Sequence, residues 1–113
     1  MIDLIFYDGN EQEIPSLTQW DLGRVLYIRN TENLVQTPVF HFYNRSVDES
    51  TPVLSEFVTI NSHSYIKVNV PNEILQKSLA IHVHMGVANN ANELETIGTG
   101  VITVIQKAKP SYY

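Results

Sequence analysis

Cysteine is absent from the 113 residues. That excludes disulfides, thiolate nucleophiles, cysteine-based zinc fingers and iron–sulfur clusters, so packing and hydrogen bonding alone must hold the fold. Basic residues are scarce: seven Lys and Arg against twelve Asp and Glu leave a net charge of −5. With a pI near 5.2 and no basic cluster, a surface that tracks phosphates is not expected, and with it no nucleic-acid partner. No apolar run approaches the ~20 residues of a membrane helix, so no membrane insertion is expected. Met1-Ile2-Asp3-Leu4 lacks a basic segment followed by an apolar one, so export by a signal peptide is not expected either. Also missing are a Gly-x-Ser-x-Gly elbow, a phosphate-cradling glycine loop and a His-Glu-x-x-His pair. Gly98-Thr99-Gly100 has neither the third glycine nor the helix of a nucleotide site. With no converging acid, base and nucleophile, the chain reads as a non-enzyme without a cofactor.

What is there is enough for a core. Hydrophobic residues make up 43% and charged residues 17%, a balance that folds, and the length fits one domain. The dominant period is two. Ile2 to Tyr7 is strand-forming and stops at the turn Asp8-Gly9-Asn10; Leu17 to Leu22 carries Trp20 and is broken by Gly23. Val25 to Arg29 and Pro38 to Tyr43 are further strands, the latter with Phe40 and Phe42 on one face and Val39, His41 and Tyr43 on the other. Leu54 to Ile60 places Glu56 on an otherwise apolar face, a rim position near solvent. In Tyr65 to Val70, Ile66, Val68 and Val70 point to the core. Pro71 opens a single helical turn near Asn72–Lys77. Leu79 to Met85 and Thr96 to Ile105 close the pattern, and Gly98 and Gly100 signal a bulge or a close backbone approach. Seven or eight short strands joined by Gly, Pro, Asn, Asp and Ser turns predict an all-β, immunoglobulin-like antiparallel β-sandwich over residues 1–106, followed by an extended connector over 107–113.

Three groups of residues are candidates for chemistry. His82 and His84 project from one strand face, and with His41 or His63 they would make a metal site. Without a matched carboxylate or thiolate spacing, the reading adopted is two imidazoles on the solvent face opposite Ile81, Val83 and Met85, and no metal. The aromatics offer a platform for sugar rings if Trp20, Tyr27, Tyr43 or Tyr65 lies flat and exposed. Trp20, Phe40, Phe42, Phe57 and Tyr65 sit in the strand pattern and read as core. The sequon Asn44-Arg45-Ser46 reads as chance in a chain with no export signal. At the C-terminal end, Lys109, Pro110, Tyr112 and Tyr113 form a stiff segment suited to handing the domain over to a partner.

The order of these segments resembles a known family. Asp21-Leu22-Gly23-Arg24-Val25-Leu26-Tyr27-Ile28 is followed by Val39-Phe40-His41-Phe42, then Ile66-Lys67-Val68-Asn69-Val70-Pro71-Asn72-Glu73-Ile74-Leu75, then Ile81-His82-Val83-His84. The chain closes on a glycine-bearing strand and Lys107-Ala108-Lys109-Pro110-Ser111-Tyr112. This pattern is similar to the N-terminal domain of phage baseplate upper proteins and related tail-fibre proteins. It departs from them in Ala108, where the family tends to have Pro, in Tyr112, where it has Asp, and in Met85-Gly86-Val87, where the family usually has an aromatic-rich segment. The resemblance implies a virion structural module, made in the bacterial cytoplasm. It would dock a receptor-binding or fibre component onto the tail tip for host attachment. Its partners would be other tail and baseplate proteins, with a homo-oligomer also open. The alternative function is a carbohydrate-binding module for host surface glycans.

Overall fold

The computed structural model describes residues 1–44, 52–77, 79–89 and 91–112. Among the described residues, eight strands and a single 3-10 turn make up the all-β architecture that the alternation predicts. They are β1 (Ile2–Asp3), β2 (Ser16–Thr18), β3 (Val25–Arg29), β4 (Val39–Tyr43), β5 (Val53–Ile60), β6 (His63–Asn69), β7 (Ile81–Ala88) and β8 (Leu94–Ile105). The 3-10 turn, Asn72–Gln76, lies where Pro71 places it and buries Ile74 and Leu75.

The strands form one curled sheet in the order β1-β8-β7-β4-β5-β6-β3. The curl is sharpest between β4 and β5, which share only the pairs Val39↔Leu54 and Phe40↔Val53 before β5 turns away to pair with β6. The result is two facing layers, β1-β8-β7-β4 and β5-β6-β3, with the core between them. Phe40, Phe42, Ile81, Val83, Met85 and Ile102 come from the first layer and Leu26, Ile28, Ile66 and Val68 from the second, all essentially solvent-free. Burial of each such side chain contributes roughly 1.5–3 kcal/mol.

Two pairings are parallel: β1 with β8 and β2 with β8. The first makes the N-terminal segment the closure of the curl. Residues 2–3 lie along β8, and Leu4 N–H still donates to the Thr99 carbonyl at 2.8 Å. Three residues later, Tyr7 exchanges backbone hydrogen bonds with Tyr27 of β3, at 2.8 and 2.9 Å. The predicted single strand over Ile2–Tyr7 is therefore a short strand on one sheet end and a bridge to the other. In between, Leu4 and Phe6 turn inward and fill the core.

Gly98 and Gly100 make that possible. A Cβ at Gly98 would stand 2.8 Å from Leu4 Cδ2, and one at Gly100 would stand 2.9 Å from the Phe6 ring. The inner face of β8 gives up two side chains and the N-terminal segment supplies them. The close approach expected from these glycines is thus found, and the bulge lies opposite, in β7 between Met85 and Gly86.

One strand expectation is corrected. The strand over Leu17–Leu22 ends at Thr18, because Trp20 adopts φ 71°, a left-handed conformation incompatible with an extended strand. Trp20 is accordingly half-buried at a turn rather than in the core. On β5, the pairing of Phe40 with Val53 turns Val53 inward and Leu54 outward, leaving Leu54 79% exposed. Glu56, on the same outward face, is exposed and 3.6 Å from Lys67.

Candidate interaction site

The connector residues are held against the domain. Gln19 begins the arrangement: its N–H donates to the Ile105 carbonyl at 2.8 Å, and its side-chain Oε1 accepts from Lys107 N–H at 3.2 Å. Its Nε2 donates to the Gln76 carbonyl at 2.9 Å, tying the 3-10 turn into the same corner. Next to it, Trp20 N–H donates to the Leu75 carbonyl at 2.9 Å, which stabilises the left-handed turn. The indole Nε1 donates to the Lys107 carbonyl at 3.1 Å, and the Lys109 ammonium sits 5.6 Å from the indole centroid. The Tyr112 hydroxyl donates to the Trp20 carbonyl at 3.5 Å. Of the four residues expected to meet a partner, Lys109 and Tyr112 thus both contact Trp20, one at its ring and one at its backbone carbonyl, and Pro110 is half-buried. Tyr113 lies outside the described residues. The sequence offered Lys109 and the tyrosines as an extended exit; Trp20 and Gln19, which fold the segment back, gave no signal beyond being polar and aromatic near Gly23.

The aromatic platform is not assembled from the rings proposed for it. Tyr65 is fully buried, and Tyr27 stands perpendicular to it with centroids 6.4 Å apart. Tyr43 lies on the opposite layer. Tyr65 instead anchors a polar knot on the outside of the second layer. The hairpin over residues 7–13 folds across that face, its turn set by the Asp8 carboxylate accepting from the N–H groups of Asn10 and Gln12 at 2.8 and 2.9 Å. At its tip, Glu11 takes a left-handed φ of 62°. Its carboxylate accepts from Tyr65 Oη at 2.8 Å and Asn61 Nδ2 at 2.9 Å, and lies 2.7 Å from His63 Nδ1. The Asn61-Ser62 turn, with φ of 49° and 69°, is the tight hairpin that brings Asn61 and His63 together there. Arg29 Nε donates to the Tyr65 hydroxyl oxygen at 3.1 Å, and its guanidinium lies 5.8 Å from the rings of Tyr7 and Tyr65. The hydrogen bonds from Asn61, His63 and Tyr65 hold the Glu11 carboxyl at about 2, far below its usual 4.5. Burial pushes the Tyr65 phenol up, and its hydrogen bond to Arg29 raises that guanidinium. His63, one of the two histidines weighed as a third ligand for His82 and His84, lies on the other layer and pairs with Glu11.

His82 and His84 do face outward, opposite the buried Ile81, Val83 and Met85. Register sets their neighbours in lateral rows across the first layer. One row reads Asp3, Thr99, His84, His41; the next reads Val101, His82, Tyr43. The Tyr43 ring lies 4.9 Å from His84 and stacks at 6.3 Å on His41. Among the described residues no three His, Asp or Glu side chains come together as a metal site. Asn44 of the sequon is buried and its Nδ2 donates to the Ile74 carbonyl at 3.4 Å; Arg45 and Ser46 lie outside the described residues. No helix among the described residues is long and apolar enough to cross a membrane.

Compared with protein-family models, with curated proteins and with solved structures, the chain matches none.

Proposed function

We propose that this domain is a non-catalytic docking module of a phage tail, joining a receptor-binding or fibre component to the tail or baseplate. Two things support the reading. One is the order of sequence motifs that resembles the N-terminal domains of baseplate upper proteins. The other, which carries it physically, is the strapping of residues 107–112 against Gln19 and Trp20. Two hydrogen bonds hold Lys107, the Lys109 ammonium lies 5.6 Å from the indole centroid, and the Tyr112 hydroxyl reaches the Trp20 carbonyl at 3.5 Å, with Tyr112 63% exposed. A pre-ordered segment loses little conformational freedom when a partner covers it, which is what an assembly contact requires.

The test is made on particles. Antibodies raised against the purified domain should label one end of the tail in intact virions released by the strain that encodes it, and peptides of the chain should be found in those virions after purification. Particles that carry neither label nor peptide overturn the reading. Lys109→Ala with Tyr112→Ala should lower incorporation while leaving the isolated domain folded.

A further inference from the structure

We propose that the outer face of the β1-β8-β7-β4 layer holds a binding site for a neutral sugar. The proposal does not rest on the tail-assembly reading. A cleft of about 450 Å³ opens on this face, lined by Asp3, His82, His84, Thr99 and Val101 over the backbone of Gly100. The side chains come from three neighbouring strands and their positions follow from register. Asp3 pairs with Thr99, Thr99 with His84, and Val101 with His82.

The chemistry of the lining selects the ligand. A carboxylate accepts two hydrogen bonds at once, the pattern offered by neighbouring hydroxyls on a sugar ring. An imidazole in its neutral form both donates and accepts, and the threonine hydroxyl does the same, so hydroxyls of either role can find partners. Val101, 58% exposed, is an apolar surface beside them, and the Tyr43 ring continues the second row past His82. Apolar and aromatic surface next to a few converging polar groups is the usual make-up of a small-ligand site. No Lys or Arg lines the cleft, and Asp3 does, in a chain of net charge −5. An anionic ligand would meet a like charge with no counter-charge, so the sugar is neutral.

Asp3 and His84 stand two strands apart, roughly 9–10 Å between backbones, with Thr99 between them. A pyranose ring laid over Thr99 spans that width, with the carboxylate at one side of it and an imidazole at the other.

The experiment follows backbone amide shifts of the full chain by two-dimensional NMR during titration with methyl α-glucoside, methyl β-galactoside, N-acetylglucosamine or rhamnose, and with N-acetylneuraminic acid as the anionic comparison. At least one neutral sugar should move the amides of His82, His84, Thr99 and Val101 saturably. Asp3→Asn should weaken that binding by about tenfold, the loss of one charge-assisted hydrogen bond. The amide spectrum of each variant shows whether it is folded. If Asp3→Asn is not, His82→Ala, a change at an exposed position, takes its place with the same expected loss. No response to any of the four neutral sugars overturns the proposal. So does equal binding of N-acetylneuraminic acid, or a folded variant that binds as tightly as the parent.

Discussion

The carboxylate of Glu11 accepts a 2.8 Å hydrogen bond from the hydroxyl of Tyr65, across 54 residues of chain. The contact joins a left-handed hairpin tip to a strand on the outside of the second layer. It turns an outward-pointing tyrosine into one of the most buried side chains of the protein. The first two predictions concern this pair.

Tyr65→Phe keeps the ring and removes the hydroxyl. Glu11 then loses one donor and Arg29 Nε loses its acceptor. Stability in urea denaturation should fall by about 1–2 kcal/mol, with the slope of the transition unchanged. An unaltered midpoint would mean that water replaces the hydroxyl at no cost.

The second prediction is a pH dependence. Glu11 titrates at about 2 in the folded chain against 4.5 ordinarily. A carboxyl with a depressed folded value binds its proton more readily in the unfolded chain. Its stabilisation is complete above about pH 4.5 and is lost as the pH falls toward 2. Because the group is near solvent, the effect is read as a slope only. Glu11→Gln should be less stable than the parent at neutral pH, and the gap should narrow as acid is added through that window. Thermal melts at a series of pH values measure it; parallel curves for parent and variant would contradict the prediction.

Gly98→Ala places a methyl group 2.8 Å from Leu4 Cδ2, and Gly100→Ala places one 2.9 Å from the Phe6 ring. Overpacking of this kind costs about 1–3 kcal/mol. The cause is specific to each pair, so Leu4→Ala combined with Gly98→Ala should be less harmful than the sum of the two single changes. A double-mutant cycle by chemical denaturation shows it. Additive effects would place the strain in the β8 backbone instead.

Trp20 is the single tryptophan, so tryptophan fluorescence reports on the site where the strap sits. Ending the chain after Gln106 removes the Lys107 carbonyl that accepts from the indole and the Lys109 ammonium beside it. Emission should shift to the red and become more accessible to a soluble quencher, while the far-ultraviolet spectrum stays that of a β protein. Lys109→Ala alone should give a smaller change of the same sign. Emission indifferent to the truncation would show that the strap does not shield the ring.

The inner faces of the strands were legible because a half-buried strand has to alternate. Ile66, Val68 and Val70, Phe40 and Phe42, and Ile81, Val83 and Met85 all lie inward as their period demands. Pro71 located the helical turn, and the two glycines announced a close approach. What alternation cannot carry is what covers an outer face. Tyr65 shares the outward face of β6 with His63 and Lys67, and it is buried by β3 side chains together with a hairpin more than fifty residues earlier. Trp20 reads as strand until its left-handed φ is seen, since that conformation is stabilised by carbonyls from residues 75 and 107. The lateral row Asp3, Thr99, His84, His41 joins four distant segments through register, and none of them marks the others in the sequence. The histidines were visible; their neighbours were not.

The seat that Gly98 and Gly100 leave for Leu4 and Phe6 also orders events in time. During synthesis the strand that receives Leu4 leaves the ribosome nearly a hundred residues after it. Until β8 is out, two large apolar side chains have no seat and the curl has no closing staple. Contacts so far apart along a chain form slowly. Closure of the sandwich by this staple therefore has to wait for β8, and until then Leu4 and Phe6 are a bare apolar hook beside an open edge.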